Sequence, residues 1–264
     1  MKKFLLLFLL SSLSLLAKEY YSKVEPYEIL NISSNVSGQV TFADERREGK
    51  VLGKKAYIKI DDKLDRLELE NIKKKVALLK NTLKLNKEMQ KNYEVILSKK
   101  QKNYDNIKAL KTKSVIEKDR EFFDLVSTQN TLISTAKEVD NLNVQINDLD
   151  LRSEQLQKSV TDKSLSANGY VLYSLNVKEG QVVNPGMLLS QVADISKAKL
   201  TIFLNAKDMR EVKSKVLYLN GEKTDYKISR LWEIADSVHL SSYKAEIIIK
   251  APKYFSELMK VELR

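Results

Sequence analysis

His239 is the only histidine in this chain of 264 residues, and cysteine is absent. Together these facts remove most site chemistry. Without thiols there is no disulfide, no thiolate nucleophile and no Cys-based zinc or iron–sulfur centre. One imidazole cannot form a His cluster for a metal, and the residues read beside it (Ser237, Ser241, Ser242) place no carboxylate for a Ser–His triad. Met89, Met187, Met209 and Met259 are scattered and form no Met-rich copper site. His239 therefore reads as a structural or exposed side chain. No catalytic residue, metal or cofactor is expected, and the chain does not read as an enzyme.

Charge offers a second kind of chemistry. Lys and Arg number 46 against 35 Asp and Glu, a formal net charge of +11, which would invite nucleic acid. The N-terminus argues against it. Met1-Lys2-Lys3 precedes an apolar run from Phe4 to Leu16 that ends at Ala17, the layout of a secretory signal peptide over residues 1–17. The run is short for a membrane span, which needs about 20 apolar residues, although a retained N-terminal anchor is the competing reading. No Cys follows it, so a lipoprotein anchor is excluded. Export makes nucleic acid an unexpected partner.

The chain must next supply elements that hold the remaining polar residues in place. From Asp62 to Val160 there is neither Gly nor Pro, which predicts long helix. Leu69, Ile72, Val76, Leu79 and Leu83 open a seam spaced alternately by three and four, and Asn86, Gln90, Tyr93, Leu97, Lys100, Tyr104 and Ile107 continue it. That is a coiled-coil stripe with polar interruptions. A second stripe runs through Leu132, Ala136 and Val139. After one slip it continues through Leu142, Ile146, Leu149, Ser153, Leu156 and Val160. Residues 62–113 carry 15 basic and 7 acidic groups, whereas 114–164 carry 6 and 10. Folding the halves back antiparallel sets the basic helix beside the acidic one. The turn is expected between Lys111 and Val115, where Ser114 and Glu117 form the S-x-x-E capping pattern. Each arm of about 45 residues is then roughly 70 Å long at about 1.5 Å per residue.

Six of the seven glycines flank this hairpin in two segments that repeat each other. A shift of 131 residues places Gly38 on Gly169, Val40 on Val171, Glu48 on Glu179, Gly49 on Gly180 and Leu52 on Val183. Both copies alternate apolar and polar residues between turn glycines, the pattern of short antiparallel strands. Each is too small to bury a core, so the two are expected to pack together around the inserted hairpin. Gly38, Gly49, Gly53, Gly169, Gly180 and Gly186 read as structural turn formers. Further strands are expected at 199–204, 215–219, 226–232 and 243–250, with Asn220-Gly221 as a hairpin turn and Pro252 closing the last strand.

These residues carry a family resemblance. Ser37-Gly38-Gln39-Val40 with Glu48-Gly49, a long coiled-coil insertion, then Asn168-Gly169-Tyr170-Val171 and Glu179 to Gly186 (EGQVVNPG), resembles the HlyD-type periplasmic adaptors, or membrane fusion proteins. The resemblance spans roughly residues 30–250. It departs at Lys55, where the family has the glycine matched by Gly186; Gly53 is expected to make that turn. The implied fold is α+β and elongated: a split lipoyl-like β domain with an inserted antiparallel coiled-coil hairpin, plus a small β-barrel. Residues 18–32 are expected to be an N-terminal strand joining the barrel. Residues 33–61 and 164–194 are the two lipoyl-like halves, 62–163 the hairpin, 195–252 the barrel and 253–264 a C-terminal tail. A membrane-proximal domain is expected to be absent or rudimentary.

The family docks its hairpin tip on an outer-membrane channel through an R-x3-L-x6-S pattern. Here Asn103, Ile107 and Ser114 match that spacing, followed by Glu117 and Asp119; Asn103 lacks the Arg charge. The resemblance implies a subunit that bridges an inner-membrane transporter and an outer-membrane channel, assembles as a homo-oligomeric ring, and works in the periplasm of a Gram-negative bacterium, either free or associated with the inner membrane. The competing reading is a periplasmic coiled-coil chaperone that grips clients with its basic arm. A lipoyl carrier is disfavoured, because the junction that would bear the modified Lys is replaced by the hairpin.

Overall fold

The computed structural model describes residues 18–236, 239 and 242–264; the expected signal peptide, 1–17, lies outside the described residues. Strands β1 (Lys18–Lys23), β2 (Glu25–Ser33), β3 (Gly38–Ala43) and β4 (Ile58–Ile60) precede helices α1 (Lys63–Ala109) and α2 (Val115–Asp162). Strands β5 (Ser164–Leu165), β6 (Val171–Leu175), β7 (Val182–Val183) and β8 (Leu188–Leu204) follow. Helix α3 (Ala206–Glu211) leads to β9 (Leu217–Leu219), β10 (Glu222–Lys223), β11 (Arg230–Ala235), β12 (Tyr243–Lys250) and β13 (Leu258–Leu263). The fold is α+β and comprises two compact units. One joins the chain up to Lys59 with Leu165–Arg264, and the other is Ile60–Ser164.

In the first unit the two glycine repeats pack on each other. Gly38 of β3 is registered with Val183 of β7, and the Gly169 N–H donates to the Leu52 carbonyl at 2.9 Å. These are the same pair with the copies exchanged, so the module has a local twofold relationship. Val40, Leu52, Leu172, Val183 and Leu189, drawn from both copies, are buried. Gly49 and Gly180, at matched positions, both sit at left-handed φ (+74° and +87°), where a Cβ would be strained. The third matched turn differs between copies. Gly186 is left-handed at φ +86°, whereas neither Lys55 nor Gly53 is. The first copy turns without that conformation, so Lys55 is tolerated and Gly53 does not make the substitute left-handed turn.

The expected break after Asp194 is not seen, because β8 runs unbroken from Leu188 to Leu204. Its first part pairs with β6 and β2 and its second with β12, so one strand serves both β regions. The second core gathers Val24, Leu200, Ile202, Leu204, Val212, Ile247, Val261 and Leu263. The sheets that cover it run β11-β12-β8-β2 and β1-β13-β9-β10. Residues 253–264 are not a tail. Strand β13 lies between β1 and β9, with Val261 and Leu263 buried. Its alternation is plain in Lys260-Val261-Glu262-Leu263, but its partner is the N-terminal strand, far beyond any local pairing signal. The Asn220-Gly221 turn is present, with both residues at positive φ and Leu219 opposite Glu222.

In the second unit α1 and α2 pair along their length. On α1 every expected seam position from Leu69 to Ile107 is at least half-buried, with no slip. On α2 the seam holds Leu125, Thr128, Thr135, Val139, Leu142, Ile146, Leu156 and Val160. The expected slip is absent, since Thr135 rather than Ala136 occupies the buried position. Threonine reads as polar in sequence. Here the Thr128 and Thr135 hydroxyls donate to the carbonyls of Asp124 and Thr131, one turn back, at 3.0 and 2.9 Å. That leaves their methyl groups to pack in the seam. Ion pairs cross the seam at Lys80–Asp150, Lys100–Asp124 and Arg152–Glu68. Among the described residues no helix is long and apolar enough to cross a membrane.

Candidate docking site at the hairpin tip

Helix α1 ends at Ala109, where the Leu110 N–H closes a last bond to the Ile107 carbonyl. Five residues beyond Ala109, Ser114 caps the start of α2. Its hydroxyl accepts from the Glu117 N–H at 3.3 Å, and its own N–H donates to the Glu117 carboxylate at 3.0 Å. Both halves of the capping box are thus made, which satisfies donors that a helix start otherwise leaves to water. Lys113 adds an ion pair to Glu117 at 3.0 Å. The Ser114 backbone N–H, followed by the Lys113 ammonium and the Ser114 hydroxyl, holds the Glu117 carboxyl down to about 2.

The five expected tip residues do not form one cluster. Ser114 and Glu117 bind each other. Ile107 is half-buried in the seam, while Asn103 and Asp119 are exposed on separate helices. Alongside the polar turn residues 111–114, the tip exposes apolar side chains: Leu110 and Phe123 are exposed, and Val115 and Ile116 are 73% and 81% exposed. Tyr104 and the exposed Phe122 and Phe123 form a short aromatic ladder, with ring centroids 5.6 and 5.9 Å apart. The Lys108 ammonium lies 5.7 Å from the Tyr104 ring, within cation–π range. Sequence reading missed Leu110, Val115, Ile116 and Phe123 because none belongs to the seam. Apolar residues standing off the heptad beside a turn were the available signal. Exposed apolar side chains in a segment that also carries Lys108, Lys111 and Lys118 have the composition of a protein-contact surface.

His239 belongs to the other compact unit. Its Nδ1 is 3.1 Å from Asp236 Oδ1, so a carboxylate does stand beside it, three residues upstream. Its ring stacks on Phe203 at 3.7 Å between centroids. The His239 backbone N–H donates to the same carboxylate oxygen at 2.8 Å.

No protein-family model matches the chain, and no curated protein matches it. Solved structures do. MacA from Actinobacillus actinomycetemcomitans matches 94% of this chain and 78% of its own, at 19% identity and a TM-score of 0.68. A MacA–MexA chimera containing the Pseudomonas aeruginosa MexA α-hairpin domain matches 94% and 81%, at 15% identity and 0.62. The membrane fusion protein Spr0693 from Streptococcus pneumoniae R6 matches 94% and 98%, at 9% identity and 0.61. Identities this low establish architecture alone, and on that basis the chain has the fold of the HlyD-type membrane fusion proteins that its glycine repeats and inserted hairpin resemble.

Proposed function

We propose that this chain is the periplasmic adaptor subunit of a tripartite efflux or secretion system in a Gram-negative bacterium. It links an inner-membrane transporter to an outer-membrane channel, works as a homo-oligomeric ring, and touches the channel through the hairpin tip. The observation that carries the reading is the β module built from two repeats with a long helical hairpin inserted between them, in a fold shared with MacA and with a chimera whose hairpin is a transplanted unit. The capping box at Ser114 and Glu117 keeps the turn rigid. Asn103, Ile107 and Asp119, together with exposed Val115 and Ile116, supply the surface to be recognised. The adaptor performs no bond chemistry of its own, so its partner provides the driving force.

Cross-linking from a photoreactive residue at Thr112 tests the reading. An adaptor captures one outer-membrane protein of defined size. A smear of many clients would instead support the coiled-coil chaperone and overturn the adaptor assignment.

A further inference from the structure

The outer face of the sheet β11-β12-β8-β2 holds a concavity of about 550 Å³ that the adaptor role leaves unused. Strand alternation builds its floor. Ile202 and Leu204 of β8 go into the core, so Phe203 between them faces out. Lys244 of β12 is registered with Phe203 and shares that face. One side forms where β1 passes into β2. Val24 is buried there, and its neighbours Lys23 and Glu25 project the other way and line the cavity. Asp236 and His239, which follow β11, line the opposite side. The His239 ring on Phe203 makes an aromatic wall two rings thick, and the His239 side chain is 51% exposed, so the stack stays open to the cavity.

Charge decides what fits beside that wall. Asp236 is already engaged by the backbone N–H and the ring of His239. Lys244 pairs with Glu246 at 3.0 Å and stands 4.6 Å from the centre of the Trp232 ring. Lys23 and Glu25 have no ion-pair partner among the described residues. They stand two residues apart on one rim, about 7 Å along the strand at about 3.3 Å per residue, and do not pair with each other. A cavity of this size takes a small ligand. The one that satisfies all three features brings a flat ring to the His239–Phe203 wall, a carboxylate to Lys23 and an ammonium to Glu25. A ring with only one of those charges would set it beside a rim group of the same sign. We infer that this cavity binds an aromatic zwitterion, a molecule carrying ring, ammonium and carboxylate together as an aromatic amino acid does. The site lies within one compact unit and stands independently of the adaptor reading.

Trp232 is the only tryptophan of the chain and sits beside Lys244, so its fluorescence reports occupancy. Phenylalanine, 3-phenylpropanoate, 2-phenylethylamine and leucine are titrated into the purified full chain, with calorimetry as the second readout. Phenylalanine should saturate at about millimolar concentration or below. The other three, each lacking the ammonium, the carboxylate or the ring, should bind about tenfold more weakly or worse. Glu25→Gln should weaken phenylalanine about tenfold without weakening 3-phenylpropanoate, and Lys23→Gln should do the same with 2-phenylethylamine spared. Both side chains are on the rim, so melting should match wild type, and the comparison of ligands on the wild-type chain needs no variant. No saturation by phenylalanine, or equal binding of 3-phenylpropanoate or leucine, overturns the inference. Either result leaves channel capture at the hairpin tip, which tests the adaptor assignment, untouched.

Discussion

The Tyr57 hydroxyl lies 2.8 Å from the Ser190 hydroxyl in the buried interior, joining residues that are 133 positions apart in the chain. One comes from each side of the inserted hairpin, so the bond exists only when the split module has closed. Burial raises the phenol's pKa, with the Ser190 hydrogen bond opposing it. Replacing Tyr57 with Phe leaves Ser190 without this partner and is expected to cost about 1–2 kcal/mol. Urea unfolding monitored by tryptophan fluorescence reads the loss, and an unchanged midpoint would remove the bond from the closure of the module.

Glu117 should titrate far below an ordinary glutamate. Its carboxyl is held at about 2 by Ser114 and Lys113, against about 4.3 for a free side chain. A depressed carboxyl stabilises the cap fully above the unfolded value and stops doing so as pH falls through the folded one. Carboxyl NMR should find Glu117 near 2, and Ser114→Ala, which removes the hydroxyl contact but keeps the backbone N–H and Lys113, should raise it only part of the way to the free value. A wild-type value near 4 would show that the box is not formed in solution.

At the other end of the hairpin, Asp65 accepts from Ser159 at 2.6 Å and pairs with Lys163 at 2.9 Å. Burial pushes its carboxyl up, but Ser159 and Lys163 outweigh that and hold it below the usual range. Its contribution is therefore complete above about pH 4 and fades as the pH drops through the lowered value. Asp65→Asn should lower stability by about 1–2 kcal/mol at pH 7. The gap from wild type should narrow in acid; a pH-independent gap would contradict the ion pair.

The buried threonines of α2 make a prediction of opposite sign. Because the Thr135 hydroxyl bonds only to its own helix, Thr135→Val exchanges a back-bonded polar group for a methyl in the seam. Stability should rise by about 0.5–1 kcal/mol. Destabilisation on thermal melting by circular dichroism would mean that the hydroxyl has a role across the seam.

At the tip, Val115→Asp with Ile116→Asp places charge on residues already open to solvent. Helix content and melting should be unchanged, while channel capture and export should fall at least tenfold. Full export by this variant would exclude the apolar tip from docking.

Several features were legible without coordinates, because each is local or repeats at a fixed period. The α1 seam from Leu69 to Ile107 follows from the heptad, the Ser114–Glu117 box from a spacing of three, and the closure of the split module from the shift of 131 residues. The α2 seam is less legible at Thr128 and Thr135, since a threonine's burial depends on whether its hydroxyl finds a carbonyl one turn back.

What only the tertiary structure decided is long-range pairing and what is left over after pairing. The placement of β13 beside β1 joins strands about 240 residues apart in sequence, and a short alternating strand carries no address for a partner so far away. The continuity of β8 through Asp194 depends on strands pairing with it on both sides. The exposed Val115 and Ile116 become visible only once the seam has claimed its own residues. Periodicity states that a side chain is apolar; only packing shows whether the fold has already covered it.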